Sequence, residues 1–407
     1  MAKSQFIQAS AFSMTANTDR YRSLSSGMAV ATFNTTEVTA NVSCQRNLTF
    51  SKLFVKITTN SKTLSNPTIK FRNNGADGNM SISIPFGVTG TYSDIVNTDT
   101  VTGGNNFCLV YRYGTTGTGT LTTSAISVVA DYTGAETITI FQNSTLTTTT
   151  AGIRYASMAG YGVNTSTEAQ MQLKIPKAGY LKNITVRISA NTRNDACSYT
   201  LRKNSADTAM TLNIPTLTTG IFRDTTNFIS VAADDLVCYK VNLLGASGNV
   251  TPYSSHIEYE TSTDTFITAT EQLSAYAPVA ATSYYSYLGG ASVTTLSEAN
   301  SKLDFNLDNY SADSMRVYMI TNSVAAISNI YLRKNGVDTA LVVSIPASTT
   351  GHFSNTVNTV AITNGDDLNY RFLIGLNGSL NVKRVVTAFV KDIPATSYPH
   401  RMMLMYF

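Results

Sequence analysis

The sequence predicts an all-β protein made of three tandem homologous antiparallel β-sandwich domains, jelly-roll-like in strand number. Three observations predict it. Charged residues make up only 13% of the 407 residues, and Thr, Ser and Asn fill the gap. Thr is β-branched and suits a half-buried pleated surface better than a helix. Second, one stretch is written three times: "FRNNGADGNMSISIPFGVTG" from Phe71, "LRKNSADTAMTLNIPTLTTG" from Leu201 and "LRKNGVDTALVVSIPASTTG" from Leu332. Third, short segments alternate polar and apolar residues between clusters of Gly, Asn, Asp and Ser, and none shows a capped helical period. Hydrophobic residues, at 43%, are enough for a real core.

Arg72, Arg202 and Arg333 fix the period, as do Pro85, Pro215 and Pro346, and Gly90, Gly220 and Gly351. A spacing of about 130 residues is too long for a solenoid repeat and is a domain length. The predicted domains are 1–134, 135–262 and 263–391, with an extra tail at 392–407.

Within each domain the elements follow in order. Tyr21-x-x-Leu24, Tyr155-x-x-Met158 and Tyr285-x-x-Leu288 open it, each followed by a nearby glycine. Leu53-Val55-Ile57, Ile184-Val186-Ile188 and Met315-Val317-Met319 have the period of two of a strand with one buried face. The quoted stretch then ends one strand in a hairpin turn. Asn74-Gly75 and Asn335-Gly336 are strong turn signals because both residues tolerate positive φ, and Asn204-Ser205 is weaker. The next strand stops at Pro85, Pro215 or Pro346, since proline does not donate to a ladder. "NNFCLVYRY", "DDLVCYKVN" and "DDLNYRFLI" follow, then "AISVVADY", "SSHIEYET" and "VVTAFVKD". Eight strands in about 130 residues fit a jelly roll best; an immunoglobulin-like sandwich is the alternative, usually shorter and often built on a core Trp. This chain has no Trp.

The residues that carry chemistry are sparse. A net charge of +4 without a basic run argues against nucleic-acid or membrane-surface binding. No apolar run approaches a membrane span, and MAKSQFIQASAF has no apolar stretch of a secretory signal. Cys44, Cys108, Cys197 and Cys238 form no C-x-x-C pair and read as buried free thiols. His256, His352 and His400 do not repeat and read as surface or interface residues. Most glutamates read as having no counterpart in the other domains, and no nucleophile or phosphate-binding motif is present. No cofactor is expected. His256-Glu258-Glu260 alternate on one strand face and are a weak metal candidate. Asp234, Asp235, Asp366 and Asp367 precede a strand; they are weak calcium candidates, with Asx turns the preferred reading. Tyr284, Tyr285 and Tyr287 form the densest aromatic cluster and are a candidate ligand surface, against the usual packing role of strand tyrosines. The arginines and lysines before the hairpin turns read as solvated side chains.

The pattern LRKNG-x-DTA, IP, TG-x-F and GDDL-x-Y resembles β-sandwich modules of virion structural proteins, especially phage capsid-associated, tail and fibre proteins. It matches at Leu332–Tyr370, nearly as well at Leu201–Tyr239, and loosely at Phe71–Tyr111, where the DDL element and the lysine after Arg72 are missing. The resemblance implies a structural or attachment role and supplies no catalytic residues.

The expected function is therefore a non-enzymatic, self-assembling structural protein of a virion or extracellular filament, made in the cytoplasm. Its partners would be copies of itself, with other virion proteins or cell-surface glycans as further candidates. The alternatives are a receptor- or glycan-binding fibre module and, behind it, a polysaccharide-acting enzyme. Met402, Met403, Leu404, Met405, Tyr406 and Phe407 end the chain as an apolar segment that must pack on its own domain or add to a neighbour's sheet edge.

Overall fold

A run that alternates apolar and polar residues buries one face as a strand. Leu48–Asn60 does so, with Phe50, Leu53, Val55 and Ile57 inward. The computed structural model extends this behaviour over nearly the whole chain. It describes residues 2–14, 18–25, 35–113, 118–132, 136–144, 152–161, 164–243, 247–261, 264–272, 282–292, 296–307 and 309–392. The apolar tail Met402–Phe407 and His400 lie outside the described residues.

The principal strands fall into three sets. The first is β1 (Ala2–Met14), β2 (Arg20–Arg22), β3 (Leu48–Asn60), β4 (Thr68–Asn73), β5 (Ala76–Ser83), β6 (Gly90–Asp94), β7 (Asn106–Arg112) and β8 (Leu121–Tyr132). The second is β9 (Thr137–Ser144), β10 (Gly152–Ala156), β11 (Gly179–Asn191), β12 (Cys197–Lys203), β13 (Ala206–Ile214), β14 (Gly220–Val231), β15 (Leu236–Leu243) and β16 (Val250–Thr261). The third is β17 (Thr265–Gln272), β18 (Ser283–Ser286), β19 (Tyr310–Asn322), β20 (Ser328–Lys334), β21 (Val337–Ile345), β22 (Gly351–Asn355), β23 (Asp367–Leu373) and β24 (Leu380–Lys391).

Each set builds two antiparallel layers with the same neighbour order. One layer runs β1-β8-β3-β6, β9-β16-β11-β14 or β17-β24-β19-β22. The other runs β2-β7-β4-β5, β10-β15-β12-β13 or β18-β23-β20-β21. The layers of the first and third sets do not stop at the set boundary. Gly290–Ser292 runs parallel to β17 and meets β1 at Ala9, which joins both layers into one sheet of 11 strands.

Three hydrophobic clusters fill the spaces between layers. In the first, Phe50 packs against Phe107 with ring centroids 4.9 Å apart. In the third, Phe266 stacks on Phe389 at 4.9 Å. Truncating such a phenylalanine to alanine costs about 3–5 kcal/mol. The clusters reach across the sets: Ile138 and Ile140 join the first, Ile267 and Val386 the second, Ala125 and Val129 the third. Strands β1, β9 and β17, the opening strands of the three sets, all touch one another. No helix of the described residues is long and apolar enough to cross a membrane.

The hairpin turns form as the sequence predicts. Asn74, Asn204 and Asn335 have φ near +50°, and the residues after them, Gly75, Ser205 and Gly336, are also positive. Ser205 thus adopts the same left-handed turn without being glycine. The four cysteines are buried and free.

Candidate functional site

The arginines before the turns are not solvated, which corrects the sequence reading. Arg72, Arg202 and Arg333 lie on β4, β12 and β20, and each guanidinium forks onto one glutamate. Arg202 donates to Glu168 at 2.7 and 3.1 Å, and Arg333 to Glu298 at 2.8 and 3.3 Å. Arg72 donates to Glu37 at 3.1 and 2.6 Å. The same arginines reach Asp77, Asp207 and Asp338 on the next strand and a turn carbonyl at Gly75, Ser205 or Gly336. A second cation, Arg112, Lys240 or Arg371, holds the far side of each aspartate. Tyr155 and Tyr285 lie under Arg202 and Arg333 with centroids 5.7 and 5.6 Å away. Each clasp therefore pins a short helix and a hairpin onto one sheet, and its charges cancel internally. Glu37, Glu168 and Glu298 do have counterparts in one another. Each sits in a poorly patterned polar stretch, and their common spacing from the arginine was the available signal.

The other sequence candidates divide. Tyr284 and Tyr287 are buried in the third cluster, so they form no ligand platform; only Tyr285 is half-buried, beside Arg333. Asp235 accepts from Ala232 N at 2.7 Å and Asn204 Nδ2 at 2.7 Å and pairs with Lys203. Asp366 does the same with Thr363 N, Asn335 and Lys334, and lies down at about 2 although burial opposes ionisation. Both are turn-capping carboxylates. Asp234 instead pairs with Arg316, and Asp367 with Lys302. No group of three metal-binding side chains occurs among the described residues.

His256, Glu258 and Glu260 share a face of β16, as expected, and that face is a seam between the first and second sets. Gln45 N donates to Glu258 Oε1 at 2.8 Å, and Asn183 donates to Oε2 at 2.7 Å. Arg46 pairs with Glu136 at 3.0 Å and Glu260 at 2.5 Å. His256 Nε2 lies 3.4 Å from Ser43 Oγ. Burial, with Arg223 and Arg187 nearby, pushes this imidazole down to about 3, and burial pushes Glu258 up.

Two more seams use the corresponding segments. Residues 172–177 of the second set meet the third: Lys177 pairs with Asp313, Arg316 with Asp234 at 2.9 Å, and Arg384 Nη1 donates to Gln172 O at 2.6 Å. The same arginine lies 3.4 Å from buried Glu271, which Lys383 holds at 2.8 Å. Residues 299–306 of the third set meet the first: Asn306 N donates to Gln5 Oε1 at 3.1 Å, Asn306 Nδ2 to Ser127 at 3.0 Å, and Lys56 to the carbonyls of Ala299 and Lys302. The seams run first to second, second to third, third to first, and so close into a ring. Sequence reasoning missed them because their partners lie more than 130 residues apart in most cases, for example Gln45 and Glu258.

At one end of each set, an asparagine, buried in the first two sets and half-buried in the third, ties its own strand end to a neighbouring loop. Asn60 donates to Pro85 O and Val88 O, Asn191 to Pro215 O and Thr218 O, and Asn322 to Pro346 O and Thr349 O. Exposed apolar residues cluster on these loops: Leu64, Phe86 and Val88, then Leu217, then Ile327 and Leu376.

No family model matches the chain, and no curated protein sequence matches it. A solved structure of PNGF-II in space group P21 matches at 7% identity, covering 85% of this chain and 99% of that one, with a TM-score of 0.20. A likeness that low carries no argument about fold or function.

Proposed function

We propose that the chain is three tandem homologous jelly-roll domains, 1–134, 135–262 and 263–391, and that it serves as a non-enzymatic, self-assembling structural protein of a virion or extracellular filament. The observation that carries this reading is the ring of seams. Head-to-tail contacts either close into rings or run on as filaments, and these three close within a single chain. The buried charges that catalysis could have used are spent on holding the ring: Glu258, Glu260, Glu271, Arg316 and Arg384 all face a seam or lie beside one. The product is a rigid block, the single-chain counterpart of a trimer, with apolar loops exposed at the same end of each domain. Such a block offers repeated faces to further copies of itself.

Negative-stain microscopy of the purified full chain tests this. Ordered shells, tubes or filaments are expected as concentration rises. Particles that stay monodisperse under all conditions and bind glycans would favour the attachment reading instead.

A further inference from the structure

The three seams are not equivalent, and the departure is local. Three residues beyond the short strands Val42–Ser43, Leu173–Lys174 and Leu303–Asp304 stand Arg46, Lys177 and Leu307. The first two cross their seams to acids: Arg46 to Glu136 and Glu260, Lys177 to Asp313. Leu307 cannot, and a cavity of about 210 Å3 opens there, lined by Lys3, Lys52, Val129, Leu307, Asn309, Tyr310 and Lys391. Asp313, the acid that receives Lys177, sits in a bulge of β19. In the repeat register the bulge of β3 places Lys52 where β11 has Asn183 and β19 has Ser314, a base where the other two sets carry neutral side chains.

Lys52 is held there at a conformational cost. Its φ is +52°, a left-handed backbone that lysine rarely adopts. Bulges of this kind re-aim a side chain, and here the ammonium is turned into the seam. It donates to Asn306 O at 3.1 Å, and no carboxylate pairs with it among the described residues. The other two lysines are paired, Lys3 with Asp131 at 3.1 Å and Lys391 with Asp264 at 3.0 Å. Three ammonium groups and two carboxylates leave one positive charge around a cavity with polar and apolar walls.

We propose that this cavity is a binding site for a small ligand carrying one anionic oxyanion group, with Lys52 as its principal partner and Tyr310, Val129 and Leu307 as the apolar wall. The volume is below the usual range for drug-sized ligands and suits a single acidic sugar or a free oxyanion. Binding here goes beyond an assembly role and does not depend on one.

Calorimetric titration of the full chain at constant ionic strength tests it, with glucuronate, inorganic sulfate and neutral glucose as probes. Saturable binding of glucuronate or sulfate, but not glucose, is expected. Sulfate alone would mark a free-ion site; glucuronate alone would mark a sugar-acid site. Lys52→Met should weaken binding about tenfold. Lys391→Met, on the opposite wall, should weaken it less. Lys70→Met, on a different sheet beside Asp77, should leave it unchanged. Thermal melts establish that each variant is folded; should Lys52→Met fail to fold, Lys391→Met carries the same test. Absence of saturable binding by either anion, or equal losses in Lys391→Met and Lys70→Met, overturns the proposal.

Discussion

At the residue scale, the clasp arginines and the seam acids make opposite demands. Arg333 is nearly buried, and its fork leaves Glu298 and Asp338 with a shared cation. Removing it in Arg333→Met leaves two carboxylates facing one another, and we expect a loss of about 2 kcal/mol in urea unfolding. Arg333→Lys should recover less than half of that, because an ammonium lacks the planar fork. A cost near zero would mean that the clasp is only a solvated ion cluster. The seam groups add a pH dependence. Burial and the facing Asp367 push Asp304 from 3.8 up to about 6, so the folded chain holds its proton more tightly than the unfolded one. Its contribution to stability is full below 3.8 and is lost as pH rises through about 6. His256, pushed down to about 3, does the reverse: the unfolded chain takes the proton first, so stability falls as pH drops below 6.5. Between those values the two slopes oppose each other. Asp304→Asn should therefore make the unfolding midpoint climb more steeply with pH over that window, and His256→Asn should flatten it. Identical slopes in both variants would refute the assignment.

At the element scale, the loops at the asparagine-clamped end depend on glycines that no other residue can replace. Gly248 has a φ of +86°, and a Cβ there would lie 2.1 Å from Thr192 O. Gly75 has the same φ region but open space around it. Gly248→Ala should cost about 2–4 kcal/mol, from backbone strain plus overpacking, while Gly75→Ala should cost only the strain, about 1 kcal/mol. Equal midpoints in denaturant would contradict this. These elements also show what was legible. The strands were, because Phe50, Leu53, Val55 and Ile57 are an alternation that only a pleated ribbon buries. The hairpins were, because Asn335-Gly336 names its own backbone. The clamp Asn60, Asn191 and Asn322, spaced 131 residues apart, was visible in principle but lay in a polar stretch that resembles any other loop. Tyr284 and Tyr287 misled because an aromatic cluster looks the same whether it faces water or a core. The seams were not legible: nothing in Gln45 or Glu258 alone says that one caps the other.

At the scale of the whole molecule, the ring decides which surfaces remain for other copies. The layers containing β1, β9 and β17 meet each other, and seam charges such as Arg46–Glu260 and Arg316–Asp234 are already paired, Lys52 excepted. What stays open is the loop end, where Phe86 is 51% exposed, Leu217 65% and Ile327 61%. A lone exposed leucine is ordinary, but apolar residues returning at the same end of all three sets make a rim that association would bury. Charges placed there should act on association and not on folding, since none of the three side chains belongs to a core cluster. The triple variant Phe86→Asp, Leu217→Asp, Ile327→Asp is therefore expected to keep the unfolding free energy of the parent to within about 1 kcal/mol, surface changes of this kind being individually small. The same protein should no longer form ordered assemblies in micrographs at concentrations where the parent does. Each aspartate adds a negative charge to a contact that would otherwise exclude water, so the loss should be graded, with single variants weakening assembly and the triple abolishing it. Assembly that survives the triple change intact would move the contact surface elsewhere, to the exposed edge strands β6, β14 and β22 that end the layers containing β1, β9 and β17.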